Sequence, residues 1–287
     1  MKLQTLKNIN ELPQIKLEDV ENNCFSTSLG MAIGAIIQQV EEREGRGKEN
    51  IFDYFNTEER YIYEIFMLHR SLISCLETID MAIGFISSYG KKDYMKKSCI
   101  PFDKYSLYHY DVICHKVSTI KDLYYKIINL VYELKLKNCN WKSLQKEEQN
   151  INNAFLFELL EANYKLVSSI EDKRNKSSHE GVIRHSLLSD IGLYLMVVDL
   201  QDKVPQFTPA EEKYSKNSLI YSYRIKKAKK DFLANLRVVR YNVCSITRCL
   251  LCAMSVQLEL ILRIKTPNVN YKGSESVCNY SDNCLNN

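Results

Sequence analysis

The segment ICHKVSTIKDLYYKIINLVYEL, residues 113–134, decides how this chain reads. Ile113, Val117, Ile120, Tyr124, Ile127, Val131 and Leu134 recur in it at alternating spacings of four and three. Such a seam keeps one side of an α-helix apolar over many turns, and it predicts a long helix packed nearly antiparallel to a neighbour. The run is short for a coiled coil, so the core of a helical bundle is the expected setting.

Helical signals continue on both sides of this segment. Upstream, Asn56-Thr57-Glu58-Glu59 has the form of an N-cap with a capping-box Glu. Behind it Ile62, Phe66, His69, Ile73, Leu76, Ile79, Ile83 and Ile86 return at helical spacing. His69 lies on that apolar face and is expected to be a hydrogen-bonded core histidine. Downstream, Asn138 to Trp141 is expected to turn the chain into a third helix over about Ser143 to Ser177. Phe155, Leu159, Ala162, Leu166 and Ile170 are its buried stripe and Gly181 its C-cap. Ile183–Leu200 reads as a fourth, largely buried helix. Thr208-Pro209-Ala210-Glu211 combines an N-cap, Pro at the first helical position and a capping-box Glu, opening a long helix towards Lys265.

The composition agrees with this all-α reading. The 287 residues are 45% hydrophobic and 26% charged, enough for one large domain or two small ones. Only nine Gly and five Pro occur, which argues against a loop-rich β architecture. The expected fold is a bundle of about five to seven long helices over residues 57–265. It is preceded by a partly helical or loop segment, 1–56, and followed by a polar, disordered tail, 266–287. The ten cysteines are scattered, most of them inside apolar helical patterns. Cys249 and Cys252 form one CxxC-spaced pair with no second pair and no nearby His, so reduced core cysteines in a cytoplasmic protein are expected, with no metal and no cofactor. Met1 to Lys16 lacks the apolar core of a signal peptide, and Leu29–Ile37 is too short to span a bilayer. Cys244–Leu262 is longer but is interrupted by Arg248, Gln257 and Glu259, so no membrane association is expected. The net charge of +4 permits an anionic partner without demanding one.

The chemistry concentrates in Arg174-Asn175-Lys176-Ser177-Ser178-His179. A guanidinium holds phosphate through a planar fork of donors, and an imidazole exchanges its proton near neutral pH. On one continuous helix the two positions would stand about 140° apart. They meet on one phosphate only if the helix ends or bends between them, or if a second copy supplies the partner residue. Asp111, Glu171 and Asp172 are candidates for orienting them, and Arg184-His185 would either add positive potential or cap the next helix. Lys226, Lys230, Arg237, Arg240 and Arg248 fall along one line of the last helix, away from Ile225, Phe232, Leu236, Val239, Val243 and Leu250. This basic stripe reads as a track for an RNA backbone or as a solvated helix face.

Arg174, Asn175 and His179, at the end of a long helix in an all-α chain, resemble the signature of the HEPN (higher eukaryotes and prokaryotes nucleotide-binding) superfamily. That pattern is Arg, four to six residues, then His, often with a polar residue after Arg. The resemblance covers roughly residues 100 to 200. It implies a metal-independent ribonuclease active as a homodimer: His179 as general acid or base, Arg174 on the scissile phosphate, Asn175 orienting the site, and a 2′,3′-cyclic phosphate as product. It further implies a role in defence or stress and a possible antitoxin or regulatory partner. Some family toxins carry Tyr two residues after the His, where a partner modifies it; here that position is Gly181. The competing expectation is a non-catalytic helical module that binds nucleotide, RNA or a protein.

Overall fold

The computed structural model describes residues 15–47, 49–90, 100–180, 185–204 and 219–267. The chain is all-α, with no strand among these residues. In chain order the helices are α1 (Leu17–Glu21), α2 (Cys24–Glu44), α3 (Thr57–Ser87), α4 (Phe102–Val131), α5 (Trp141–Lys146), α6 (Glu148–Ile151), α7 (Ala154–Glu180), α8 (Ser186–Lys203) and α9 (Leu219–Lys265). Six of them are long, as the periodicity predicts; α1, α5 and α6 are short turns that raise the count. The Thr208–Glu211 helix start, the Gly181 cap and all but the first two residues of the 266–287 tail lie outside the described residues.

The helix starts follow from local chemistry. The Asn56 side chain accepts the Glu59 N–H at 2.9 Å, and the Glu59 carboxylate accepts the Asn56 N–H at 2.7 Å, so the expected capping box is present. The same carboxylate is 3.2 Å from Arg43 at the end of α2, which also donates to the Tyr54 carbonyl. One buried acid thus closes a helix and ties it to the preceding one. Asn23 caps α2 and Asn153 caps α7 in the same way.

The seam of α4 is buried as expected. Ile113, Val117, Ile120, Tyr124, Ile127 and Val131 are all core residues. The neighbour is α3, and it runs antiparallel: the Tyr61 hydroxyl, near the start of α3, donates to the Leu130 carbonyl near the end of α4. At the other end Phe85 meets His109. The helix stops one seam position early, however. Glu133 and Lys135 adopt positive φ, and the Asn129 side chain grips both backbone groups of Leu136. The turn therefore begins before Leu134 and runs to Asn140, which caps α5, and the single helix expected from about Ser143 is divided into α5, α6 and α7. On α7, Leu159, Ala162 and Ile170 are buried, whereas Phe155 is exposed, correcting one end of the expected stripe. α8 is not the buried helix expected: Leu188 and Ile191 face the core, but Leu193 and Met196 are about half exposed. Gly192 lets α8 approach α4 closely, since a methyl there would stand 2.7 Å from an Asp103 carboxylate oxygen.

The last helix, α9, organises the rest. It is 47 residues long and packs against α1, α2, α3, α4, α7 and α8. On its apolar side Phe232, Leu236, Val243 and Leu250 are buried, while Ile225 and Val239 are partly exposed. Thr247 donates to the Val243 carbonyl and accepts the buried Tyr124 hydroxyl, fixing α9 against α4. Residues from Ile15 to Val40 join the same core, so the N-terminal stretch from α1 onward packs with the helical body. Tyr223–Lys265 is long and apolar enough, by length and composition, to cross a membrane; half of its most apolar window is buried by the other helices, as in the core helix of a bundle.

His69 is the core histidine expected. Its Nε2 lies 2.8 Å from the Ser26 hydroxyl of α2, and burial lowers its pKa from the ordinary 6.5 to about 4. Folding therefore requires the neutral ring. The associated stability is complete above pH 6.5 and declines as pH falls towards 4, by about 3 kcal/mol in all. Urea unfolding followed across this range should show that loss in the wild type and a flatter profile in His69→Gln. Identical profiles would show that His69 does not carry it.

Candidate functional site

The backbone of α7 is helical without interruption to Glu180, so it contains both Arg174 and His179. The expected helix end near Ser177 does not occur. At 100° per residue, the two positions stand about 140° apart round one helix. Position 174 continues the line of Val167 and Ile170 towards the packed side, and position 179 falls on another side. The backbone therefore has no bend between positions 174 and 179. The side chains of Arg174 and His179, and Arg184 as a whole, lie outside the described residues; Asn175 is exposed.

The neighbours of this segment are mostly engaged elsewhere. Glu171 accepts from Lys121 at 2.5 Å and from Ser118 at 2.7 Å, and so anchors α7 to α4. Asp111 lies 3.8 Å from His115, and Asp172 is exposed. His185 occupies the N-cap position of α8 but makes no side-chain cap hydrogen bond. Its ring packs edge-on between Tyr110 and Phe232. Among the described residues no three His, Cys, Asp or Glu side chains gather as metal ligands do.

The basic stripe survives in part. Lys226, Lys230 and Arg237 are exposed on the N-terminal half of α9, joined there by exposed Arg224 and Lys227. Arg240 and Arg248 are only partly exposed, because α9 has entered the bundle by then. Arg240 is not available to RNA. Its guanidinium forks onto both oxygens of Asp80 on α3 and donates to the Ile15 carbonyl at 2.7 Å. The Asp80 hydrogen bond raises its pKa against the cost of burial. A stripe drawn at 100° per residue could not reveal this, because Asp80 lies 160 residues away in sequence. Sequence reasoning also missed Lys229. It is half buried between the exposed lysines, with its ammonium 4.4 Å above the Phe102 ring.

α7 runs antiparallel to α4. Asn153 at its start meets Tyr132, and Glu171 further on meets Ser118 and Lys121. Its last residues therefore point to the end of the bundle where α4 begins. α9 brings Lys229 and Phe232 to that same end, against Phe102 and Tyr110. The motif segment and the exposed lysines share one end of the molecule.

In comparisons with known proteins, no family model, no curated protein and no solved structure matches this chain.

Two kinds of basic substitution should separate cleanly. Arg240→Ala strands Asp80 and should cost about 2 kcal/mol in urea unfolding. Lys226→Ala, Lys230→Ala and Arg237→Ala together should change stability by less than about 1 kcal/mol. If the exposed stripe carries an RNA backbone, the triple variant should instead weaken that binding and flatten its dependence on log salt by about two. A triple variant with an unchanged salt slope would remove these three residues from any RNA contact.

Proposed function

We propose that this protein is a metal-independent endoribonuclease of HEPN type, acting as a homodimer. The observation that carries the reading is the Arg174-Asn175-x3-His179 segment at the end of a 27-residue helix in an all-helical chain. The exposed Lys226, Lys230 and Arg237 at the same end of the bundle supply the attraction that a polyanion needs. In this reading the His179 imidazole takes the proton of the 2′-hydroxyl, or delivers one to the leaving 5′-oxygen. The 2′-oxygen attacks phosphorus, giving a 2′,3′-cyclic phosphate. Arg174 neutralises the oxyanion charge that develops on the phosphate, and Asn175 orients the site. The need for a 2′-hydroxyl makes the activity selective for RNA over DNA.

The straight course of α7 gives the dimer its role. Two positions about 140° apart on one helix serve a single phosphate only when a second copy brings its own helix alongside. The guanidinium of one protomer then faces the imidazole of its partner. A cytoplasmic role in defence or stress, held in check by an antitoxin or regulatory protein, belongs to the same proposal.

The same straight helix also favours a second reading: a non-catalytic module that binds RNA through the α9 lysines alone. Wild type and His179→Ala, incubated with a mixed RNA panel in EDTA, distinguish the two. The enzyme reading expects cyclic-phosphate ends from the wild type and about a hundredfold slower cleavage by the variant. It also expects a dimer by sedimentation. No cleavage by either protein, or a strict monomer, would leave the binding module; equal cleavage by both would remove His179 from the chemistry.

A further inference from the structure

The rings at the shared end of the bundle form a connected chain. The Phe102 ring, beneath the Lys229 ammonium, packs edge-on against Tyr89 at 5.2 Å. Tyr89 meets Tyr105 at 5.2 Å, and Tyr105 meets His109 at 4.6 Å. His109 in turn lies 5.2 Å from Phe85 and 5.3 Å from Tyr108. The chain begins at the lysines of α9 and ends in open surface, where Phe85 is 46% and Tyr108 69% exposed. Phe85 on α3 and Tyr108 on α4 each rest on His109 and leave the rest of the ring open to solvent.

Two properties of this surface select the occupant. The first is charge: Lys226, Lys227 and Lys230 flank Lys229, and exposed Lys104 lies beside the rings on α4. Three acids lie among them: Asp103 is turned towards Gly192 of α8, Asp111 pairs with His115, and Asp231 follows Lys230, so the cations outnumber the acids without standing alone. The second is shape: from the buried Phe102 ring beneath Lys229, the partly exposed Tyr89 and Tyr105 lead to the open rings of Phe85 and Tyr108. A positive track that leads onto aromatic faces suits a chain of phosphates carrying flat, unstacked bases. A duplex hides its base faces, and an acidic peptide has none to offer.

We propose that this end of the bundle binds single-stranded RNA, with the lysines of α9 along the phosphates and unpaired bases stacked on Phe85 and Tyr108. The proposal rests on the RNA reading above and names its substrate class: unpaired strands, entering at the end where α7 carries Arg174 and His179. Tyr105 and His109 act as the backing that holds the two outer rings in place.

The test is fluorescence anisotropy on the full-length protein. The probe is a labelled 2′-O-methyl RNA strand of about twelve nucleotides, within the range of known single-strand sites. The methyl group blocks attack by the 2′-oxygen, so only binding is read. Three competitors follow: the matching duplex, an abasic strand of equal charge, and a poly-glutamate peptide. The single strand should bind at least fivefold more tightly than each of them. Phe85→Ala and Tyr108→Ala should each weaken it about five- to tenfold, leave duplex and abasic binding unchanged, and melt as the wild type does. Lys226→Ala with Lys230→Ala should weaken all three nucleic acids. If ring variants bind like the wild type, or the abasic strand binds as well as the natural one, the stacking surface is wrong while the RNA reading stands. Failure to bind any RNA at low salt removes both. Tighter binding of the peptide would reassign the surface to an acidic protein partner.

Discussion

The architecture depends on one constraint: a 47-residue helix must cover its apolar side. At 1.5 Å per residue α9 runs about 70 Å, far beyond what helix propensity sustains in water on its own. Phe232, Leu236, Val243, Leu250 and Leu258 are buried along it, and each removal of such a side chain from water is worth about 1.5–3 kcal/mol. No single partner helix is long enough to supply that cover. α2, α3, α4, α7 and α8 share it, which is why helices distant in sequence are brought to one axis.

Apolar burial alone would let these helices slide, and a few polar contacts set their positions. Tyr124 with Thr247 locks α4 to α9, and Arg240 with Asp80 locks α3 to α9. Glu171 with Lys121 locks α7 to α4, and Glu59 with Arg43 locks α3 to α2. Hydrogen-bonded charges in partly buried places are stronger than neutral bonds, and losing one partner is costly. Each pair therefore penalises a shifted register more than it adds to total stability.

Those contacts also decide what the charged surface can do. Where α9 is sheathed, Arg240 serves the fold. Where it emerges, Lys226, Lys230 and Arg237 remain open to water. The antiparallel course of α4 and α7 brings the motif segment to the end of the bundle where α4 begins. Phosphodiester cleavage by Arg and His would need two charges at one phosphate, and on a straight α7 positions 174 and 179 stand about 140° apart. In the proposed enzyme a second protomer is therefore part of the chemistry.

Much of this was legible in the sequence, because helices report themselves locally. Apolar spacing marked α3 and the α4 seam, Asn56 and Glu59 marked a helix start, and His69 announced itself as a core group. The candidate site was legible only as a list of residues. That Phe155, Leu193 and Met196 are exposed, that α4 ends before Leu134, and that α7 continues through His179 were not readable. Each depends on which helix lies opposite. The assignment of Arg240 to Asp80 is the plainest case, since nothing in either local pattern points to the other. Periodicity along a chain records which side of a helix is apolar. Only the packing of elements far apart in sequence decides which part of that side is covered, which cation is neutralised, and which rings stay open to solvent.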